Sequence, residues 1–139
     1  MFSNAKHTLK STQGSIVNIV GIGGRTGSAE FAIGGWVNAA VLNLTKALAD
    51  RGVTDGIRIN TTNPGSITTD RLQSRIRRRA EEKGIDETAA STELATEQKI
   101  TCFGHPTEIA SMVAFLASPH AAYCQGTVLD IDGGQTRSL

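Results

Sequence analysis

The sequence predicts an α/β fold built on a parallel sheet. Three short segments rich in β-branched and apolar residues occur at positions 15–20, 57–61 and 126–131. Longer segments with apolar residues at helical spacing separate them, and strands that alternate with helices indicate βα units in a parallel sheet. The 139 residues correspond to one domain or to a piece of one.

The first predicted strand leads through a glycine-rich loop into a long helix. SIVNIV at residues 15–20 is preceded by Gln-Gly and followed by glycine, which is typical of a buried strand. The helix is predicted over residues 35–51, and the following Gly52 is expected to end it. The loop contains four closely spaced glycines, Gly21, Gly23, Gly24 and Gly27.

The remaining elements follow the second strand. IRINT at residues 57–61 alternates in polarity, and Pro64 is expected to stop the strand because proline cannot continue a ladder. Polar helices are predicted over residues 69–83 and 86–98. A helix with an apolar stripe begins at Pro106, and GTVLDI forms the third strand.

A strand followed by glycines also begins a dinucleotide-binding turn, in which a helix N-terminus meets the pyrophosphate. The spacing here disagrees with that motif, because no glycine stands three positions after Gly23. The helical pattern starts only near Gly35, and the acid about 20 residues on, Asp50, falls at a helix end rather than at a strand end. The sequence therefore favours another role for this loop.

The composition excludes several classes of partner. A formal net charge of +1 gives no basis for nucleic acid or an anionic membrane as the main partner. No stretch approaches the roughly 20 apolar residues of a membrane span, and the polar start is not a secretory signal. Cys102 and Cys124 form no CxxC pair, so we expect a cytoplasmic protein with two reduced thiols and no metal site.

Three stretches resemble one protein family. GHPTEIASMVAFLASPHAAYCQGTVLDIDGG at residues 104–134 resembles the C-terminal block of short-chain dehydrogenase/reductases. GIRINTTNPGSITTD at residues 56–70 resembles their strand and Pro-Gly turn, and GSIVNI before a helix ending in NLTKALA resembles the preceding βα unit. The resemblance implies the C-terminal half of a Rossmann-like doubly wound parallel sheet, a partial domain over residues 1–139 that lacks the N-terminal dinucleotide-binding half.

The resemblance also locates the family's catalytic positions. There a serine polarises the substrate carbonyl, a tyrosine acts as acid or base, and a lysine one turn further lowers the tyrosine pKa. Alignment places the serine at Gly21, the tyrosine at Gly34 and the lysine at Asn38. A phenol with a pKa of about 10 needs a nearby cation to act as a base at neutral pH. We therefore predict no catalytic residues of the usual kind, and the two glycines serve close packing or leave room for a ligand.

The cofactor implied by the resemblance is NAD or NADP. Pro64, Gly65, Ile67 and Thr69 would lie beside the nicotinamide, with the Ile67 backbone and the Thr69 hydroxyl at its carboxamide. Alternatively, the Pro-Gly pair is only a strand-ending turn. Because the residues that would bind the pyrophosphate are not in the sequence, we expect at most a partial cofactor site.

An arginine-rich segment falls in the variable substrate lid of the family. It either meets an anionic substrate or forms a solvated helix face, with Glu81 and Glu82 as local counter-charges. His105 is expected to cap a helix rather than to act as a catalyst. The arginines are Arg71, Arg75, Arg77, Arg78 and Arg79.

These observations predict a protein that is by descent an NAD(P)-dependent oxidoreductase of a small-molecule substrate and is inactive as this isolated chain. Whether the chain is an enzyme stays open. The alternative is a non-catalytic module that keeps the fold's surfaces for oligomerisation or for another partner. A buried type of strand at residues 15–20 presents an open edge when it lacks a neighbour. We therefore expect a homo-oligomer or pairing through that edge.

Overall fold

The structure, a computed structural model, describes residues 14–137 and confirms the α/β fold. Three strands, β1 (Ser15–Ile19), β2 (Arg58–Pro64) and β3 (Val128–Ile131), form a parallel sheet in the order β1-β2-β3. The polar start of the chain, interpreted above as no secretory signal, lies outside the described residues. The α-helices within residues 14–137 are α1 (Ala32–Asp55), α2 (Asp70–Lys83), α3 (Glu87–Glu97) and α4 (Pro106–Ala117).

Helix α1 packs against the middle of β2. Ala49 of α1 forms a buried apolar cluster with Ile57 and Ile59. The Thr61 hydroxyl donates to Thr45 Oγ1 at 2.9 Å, and Asn18 Nδ2 of β1 donates to the same oxygen at 2.8 Å. Thr45 and Thr61 are buried between α1 and the sheet and Asn18 is partly buried, and these hydrogen bonds give the buried hydroxyls their partners.

Helix α4 lies on the face of the sheet opposite to α1. Ile59 points towards α1, and its neighbour Arg58 points to the other face, because successive residues of a strand alternate between faces. Arg58, next to Ile59, reaches the carboxyl end of α4, where the last carbonyls of a helix have no partner within the helix. Its guanidinium donates to four backbone oxygens at 2.7–3.1 Å, those of Leu116, Ala117, Ser118 and Ala121. The side chain thereby fixes α4 to the sheet.

Helices α2 and α3, hereafter the lid pair, pack mainly on each other. They share a buried cluster of five apolar residues that is separate from the cluster under α1. Gly84, with φ +65°, ends α2, and the Asp86 carboxylate caps α3 by accepting from the Ala89 amide at 2.8 Å. The cluster consists of Leu72, Ile76, Ala80, Ala90 and Leu94.

Helix α1 is longer at both ends than the predicted 35–51. Gly52 does not end it, because the helix continues to Asp55 and is closed by Gly56 with φ +68°. Gly52 is buried, and a Cβ on it would lie 2.3 Å from the Ile57 carbonyl oxygen. This glycine is therefore needed for the close approach of the helix to the start of β2.

Strand β2 also extends past its predicted end, because Pro64 still pairs with Ile131 of β3. The hydrogen bond at this point comes from the Gly65 amide to the Ile131 oxygen at 3.1 Å, so the pairing does not need the N–H that proline lacks. At the start of α4, His105 caps the helix as expected, in a reciprocal pair with Glu108. No helix within residues 14–137 has the length and apolar character to cross a membrane.

Candidate functional site

The carboxyl ends of the three strands meet at one edge, where parallel α/β sheets bind their ligands. The glycine loop (residues 21–27) is held there by side chains from the other two strands. Asn63 Oδ1 at the end of β2 accepts from the Gly21 amide at 3.1 Å, while Asn63 Nδ2 donates to Asp130 Oδ1 of β3 at 2.7 Å. Arg25 of the loop donates to Asp130 Oδ2 at 2.5 Å. This network fixes the loop across the sheet.

The glycine loop does not open a helix, which agrees with its failure to match a dinucleotide-binding turn. Short 3₁₀ turns at Ile22–Gly24 and Ala29–Phe31 separate it from α1, which begins at Ala32. Its backbone amides consequently do not form the N-terminus of α1, the arrangement that would present them to a pyrophosphate.

Two of the three positions aligned with catalytic residues lie side by side. A Cβ on Gly21 would be 3.2 Å from Asn38 Nδ2 and 3.9 Å from the Pro64 oxygen, so the loop, α1 and the end of β2 meet at this point. Gly21 has φ +145°, which L side chains rarely adopt. The Asn38 amide forms no hydrogen bond with residues 14–137. The position therefore offers an uncharged amide where the family has a lysine.

The third position, Gly34, is occupied by the ring of a neighbouring residue. A Cβ on Gly34 would lie 2.2 Å from Phe31 Cζ, and a Cβ on Gly23 would lie 2.9 Å from the same ring. The Arg71 guanidinium carbon of α2 lies 5.7 Å from the ring centroid, within the range of a cation–π contact. The two glycines thus make room for Phe31, which joins the glycine loop to the lid pair.

Phe31 and its contact with Arg71 were not predicted from the sequence. In the sequence, Arg71 stands out only as one of a run of arginines, and nothing marks Phe31 as its partner. A side-chain contact across 40 positions leaves no periodic pattern to detect. The available signal was the loss of side chains at positions 23 and 34, close in sequence to an aromatic residue.

The four residues expected beside a nicotinamide lie together in the loop after β2. Pro64 and Gly65 end the sheet pairing, and a Cβ on Gly65 would lie 2.7 Å from the Asp132 Cβ, so this glycine allows the loops after β2 and β3 to pack closely. Ile67 forms an isolated bridge with Gly104, and Thr69 is the N-cap of α2. A strand-ending turn accounts for Gly65, and the contact of this loop with a nicotinamide stays a prediction.

Two polar groups of this loop are available to a ligand. The Ile67 amide has no acceptor among residues 14–137, because the bridge to Gly104 uses the neighbouring groups of Ser66 and Thr68. The exposed Thr69 hydroxyl has one long contact, 3.4 Å to the Ile67 oxygen, and does not cap α2. A backbone donor and a hydroxyl at this spacing fit the carboxamide of a nicotinamide.

Asp130 and Asp132, two carboxylates at this edge, accept hydrogen bonds from the protein itself. Asp132 accepts from the Gly134 amide at 2.9 Å and from the Thr136 amide at 2.6 Å. Partial burial would raise the pKa of Asp132, but these hydrogen bonds outweigh it and hold the pKa below its ordinary value. Asp130 is bound by Asn63 and Arg25 as described. The lowered pKa keeps the Asp132 carboxyl ionised at neutral pH, so it does not act as a proton donor there.

Comparison with known proteins gives consistent matches over almost the whole chain. Residues 1–136 match the family model described as enoyl-(acyl carrier protein) reductase. 3-Oxoacyl-(acyl-carrier-protein) reductase FabG of Vibrio cholerae serotype O1 is 36% identical over 129 residues, which are 91% of this chain and 47% of that protein. The chain therefore spans about half the length of the relatives that it matches.

Two solved structures share the fold. L-sorbose reductase from Gluconobacter frateurii, complexed with NADPH and L-sorbose, superposes with a TM-score of 0.89 at 27% identity, covering 96% of this chain and 52% of that one. An NADPH-bound short chain oxidoreductase from Pseudomonas aeruginosa PAO1, which contains an atypical catalytic center, gives a TM-score of 0.82 at 25% identity. That match covers 94% of this chain and 49% of the other.

Proposed function

The chain belongs to the short-chain dehydrogenase/reductase family, and from this we propose that it carries the nicotinamide end of an NAD(P)-dependent oxidoreductase site but does not transfer hydride by itself. The observation that carries the proposal is the Phe31 ring in the space of a side chain at Gly34, next to Gly21 and Asn38. A site with glycine, glycine and asparagine at these positions lacks the family's hydroxyl, phenol and ammonium groups.

The loop after β2 would hold the nicotinamide. The Ile67 amide and the Thr69 hydroxyl are the polar contacts, while Pro64 and Gly65 shape the floor on which the ring would rest. A nicotinamide held there would be the hydride donor or acceptor of a complete site. The Asn38 side-chain amide lies beside Gly21, which in turn lies beside Pro64 at the start of this loop. It has no hydrogen-bond partner among residues 14–137, so it can donate to a ribose hydroxyl.

The proposed inactivity follows from proton chemistry. Reduction of a carbonyl requires a proton donor matched to the developing alkoxide, and an amide such as Asn38 neither titrates nor lowers the pKa of a neighbour. Phe31 has no ionisable group. The substrate expected from the family is a small molecule with a carbonyl or alcohol, bound between this loop and the lid pair.

A second candidate is a non-catalytic module that acts through protein contacts. An apolar stripe on α1 is exposed, with Ile33 79% and Trp36 75% accessible. Exposed apolar patches on α/β domains are typical of interfaces. We propose that this stripe forms a homo-oligomer contact, with the open edge of β1 as the alternative. It consists of Ile33, Trp36, Val37, Leu44 and Leu48.

The free thiols of Cys102 and Cys124 support a cytoplasmic location.

The experiment for the cofactor site is a calorimetric titration of the purified chain with NADPH and NADH. A Kd of about 1 mM or tighter supports retained contacts. Thr69→Val then weakens binding about fivefold, the value of one neutral hydrogen bond. Thr68→Val is the matched control, because the Thr68 hydroxyl is bonded to the Gly104 oxygen at 3.0 Å and its loss leaves the affinity unchanged.

Each of three other outcomes would reject one part of the proposal. Absence of detectable binding of either dinucleotide rejects the cofactor site and favours the non-catalytic module. Oxidation of NADPH by the chain alone, on a panel of small ketones and aldehydes, rejects the proposed inactivity. Equal loss of affinity in Thr69→Val and Thr68→Val rejects the contact assigned to Thr69.

A further inference from the structure

The arginines of α2 fall into two groups by the partners that they have. Three of them lie within 4.0 Å of a carboxylate of the lid pair and form its surface ion pairs. They are paired as Arg77 with Glu87 at 3.6 Å, Arg78 with Glu82 at 3.6 Å, and Arg79 with Glu93 at 3.4 Å and with Glu97.

Arg71 and Arg75 form the second group. Neither has a carboxylate within 4.0 Å among residues 14–137, and both are exposed. Residues four apart lie on one face of a helix, so the two guanidinium groups are neighbours of like charge. Asp70 precedes Arg71 directly, but adjacent helix residues do not face each other. The pair is therefore an uncompensated cationic patch within a helix that otherwise neutralises its arginines.

The cationic patch lies next to the candidate site. Arg71 is held over the Phe31 ring at 5.7 Å, and that ring fills the space beside Gly34. Stacking on an aromatic face leaves the in-plane N–H groups of a guanidinium free to bind an anion. Thr69, expected at the carboxamide, stands two residues before Arg71 in the same turn. The contact with Phe31 and the place of Arg71 in the first turn of α2 put its guanidinium next to the candidate site.

We propose that Arg71 and Arg75 bind a carboxylate or phosphate group of the molecule that enters this site. A guanidinium fork matches the two oxygens of such a group, and an anion between the arginines removes the repulsion of their charges. The inference deepens the proposed function, because it rests on that site taking a small-molecule substrate. A small oxo acid would supply the carboxylate, and a phosphate-bearing thioester would supply the phosphate.

The test is an NMR titration of the full chain at low ionic strength with acetoacetate, inorganic phosphate and uncharged ethyl acetoacetate. We expect an anion to bind and the ester not to bind. The double variant Arg71→Gln/Arg75→Gln raises the Kd of that anion about tenfold. The control Arg77→Gln/Arg78→Gln removes the same charge from the same helix and changes the Kd by less than about twofold. Tighter binding of acetoacetate favours a carboxylate as the bound group, and tighter binding of phosphate favours a phosphate group.

Several results would overturn the proposal. They are equal weakening by both double variants, ester binding as tight as acetoacetate binding, or no binding of either anion to the wild type. Because Arg71 touches Phe31, Arg75→Gln alone serves as a second variant, since Arg75 has no side-chain partner among residues 14–137. It should raise the Kd about threefold, and an unchanged Kd counts against the pair.

Reduced nicotinamide riboside separates this inference from the proposed function, because it carries the nicotinamide and no phosphate. Riboside binding without anion binding rejects the arginine site and leaves the nicotinamide site in place. Arginine-dependent anion binding without riboside binding supports the arginine site and rejects the proposed nicotinamide contacts.

Discussion

Gly24 of the glycine loop packs directly against the backbone of α1, which leaves no room for a side chain there. A Cβ at this position would lie 2.8 Å from the Asn38 carbonyl carbon and 2.9 Å from the Ala39 nitrogen. Backbone atoms inside a helix cannot turn aside as a side chain can. We expect Gly24→Ala to lower the free energy of unfolding by about 1–3 kcal/mol, the usual cost of overpacking, as measured by urea denaturation.

Gly27 provides the matched control in the same loop. Apart from its chain neighbours, no atom of residues 14–137 lies within 4 Å of a Cβ built there, and its φ is not in the left-handed region. Gly27→Ala should therefore be neutral, or stabilising by less than about 1 kcal/mol through the unfolded chain. Equal denaturation midpoints for the two variants would show that the loop is not pressed against α1.

Arg58 is the side chain with the largest predicted effect on stability. Its guanidinium binds four carbonyls at and just beyond the end of α4, and charged hydrogen bonds contribute more than neutral ones. Arg58→Ala should lower the free energy of unfolding by about 2–3 kcal/mol. Arg78→Ala, which removes an exposed i,i+4 ion pair, should cost less than about 0.5 kcal/mol. Similar losses in both variants would mean that the carbonyl contacts are weak.

The lid pair depends on ion pairs whose strength changes in acid. The hydrogen bond from Arg79 holds the pKa of the Glu97 carboxyl below its ordinary value of 4.5, although desolvation opposes it. A carboxyl with a lowered folded pKa stabilises above its unfolded pKa, and this stabilisation is lost as the pH falls through the folded value. The lid pair should consequently loosen below about pH 4.5.

Hydrogen exchange of α2 and α3 measures this loosening locally. Glu97→Gln should speed exchange in the lid pair at neutral pH, and the difference from wild type should shrink as the pH falls below 4.5. The amides of β2 should not respond. Glu81→Gln is the control, because Glu81 has no cation within 4.0 Å among the described residues. A difference that persists unchanged at pH 3 would rule out the ion pair as its cause.

The elements were predictable where a local pattern decides them. The strands came out within three residues of their observed ends, because β-branched runs bounded by glycine and proline depend on short-range chemistry. The end of α1 was not predictable from Gly52. A glycine is needed there because the Ile57 carbonyl oxygen leaves no room for a Cβ. In the sequence, a glycine required by such a tertiary contact cannot be told from one that ends a helix.

The candidate site was predictable in outline only. The family alignment indicated Gly21 and Asn38 as corresponding positions, and the structure brings them within contact distance. Which arginines of α2 are paired depends on where α3 places its glutamates. That depends on the turn at Gly84 and on the packing of Leu94, neither of which has a signature in the arginine run itself.

Within residues 14–137, the molecule exposes an apolar stripe on α1 and has β1 at the edge of its sheet. The exposed stripe on α1 and the open edge of β1 both predict self-association. If the proposed homo-oligomer forms through the stripe, Trp36→Glu should reduce it to a monomer in sedimentation velocity, because a buried unpaired charge opposes an apolar interface.

Tyr123→Glu is the control, since Tyr123 is fully exposed outside the stripe. It should leave the sedimentation unchanged. Trp36 is the single tryptophan, so dissociation of the wild-type chain on dilution should appear as a red shift of its emission. A wild-type chain that sediments as a monomer and melts in one sharp transition would remove both proposed contacts.

The position of the Phe31 ring also bears on how this protein diverged. A single codon change that restored tyrosine at Gly34 would collide with Phe31, and a serine at Gly21 would be strained at φ +145°. Each step back lowers stability before any catalytic gain is available to selection. Under the proposed function, the Phe31 ring and the backbone at Gly21 would therefore oppose a return of the family's side chains at these two positions.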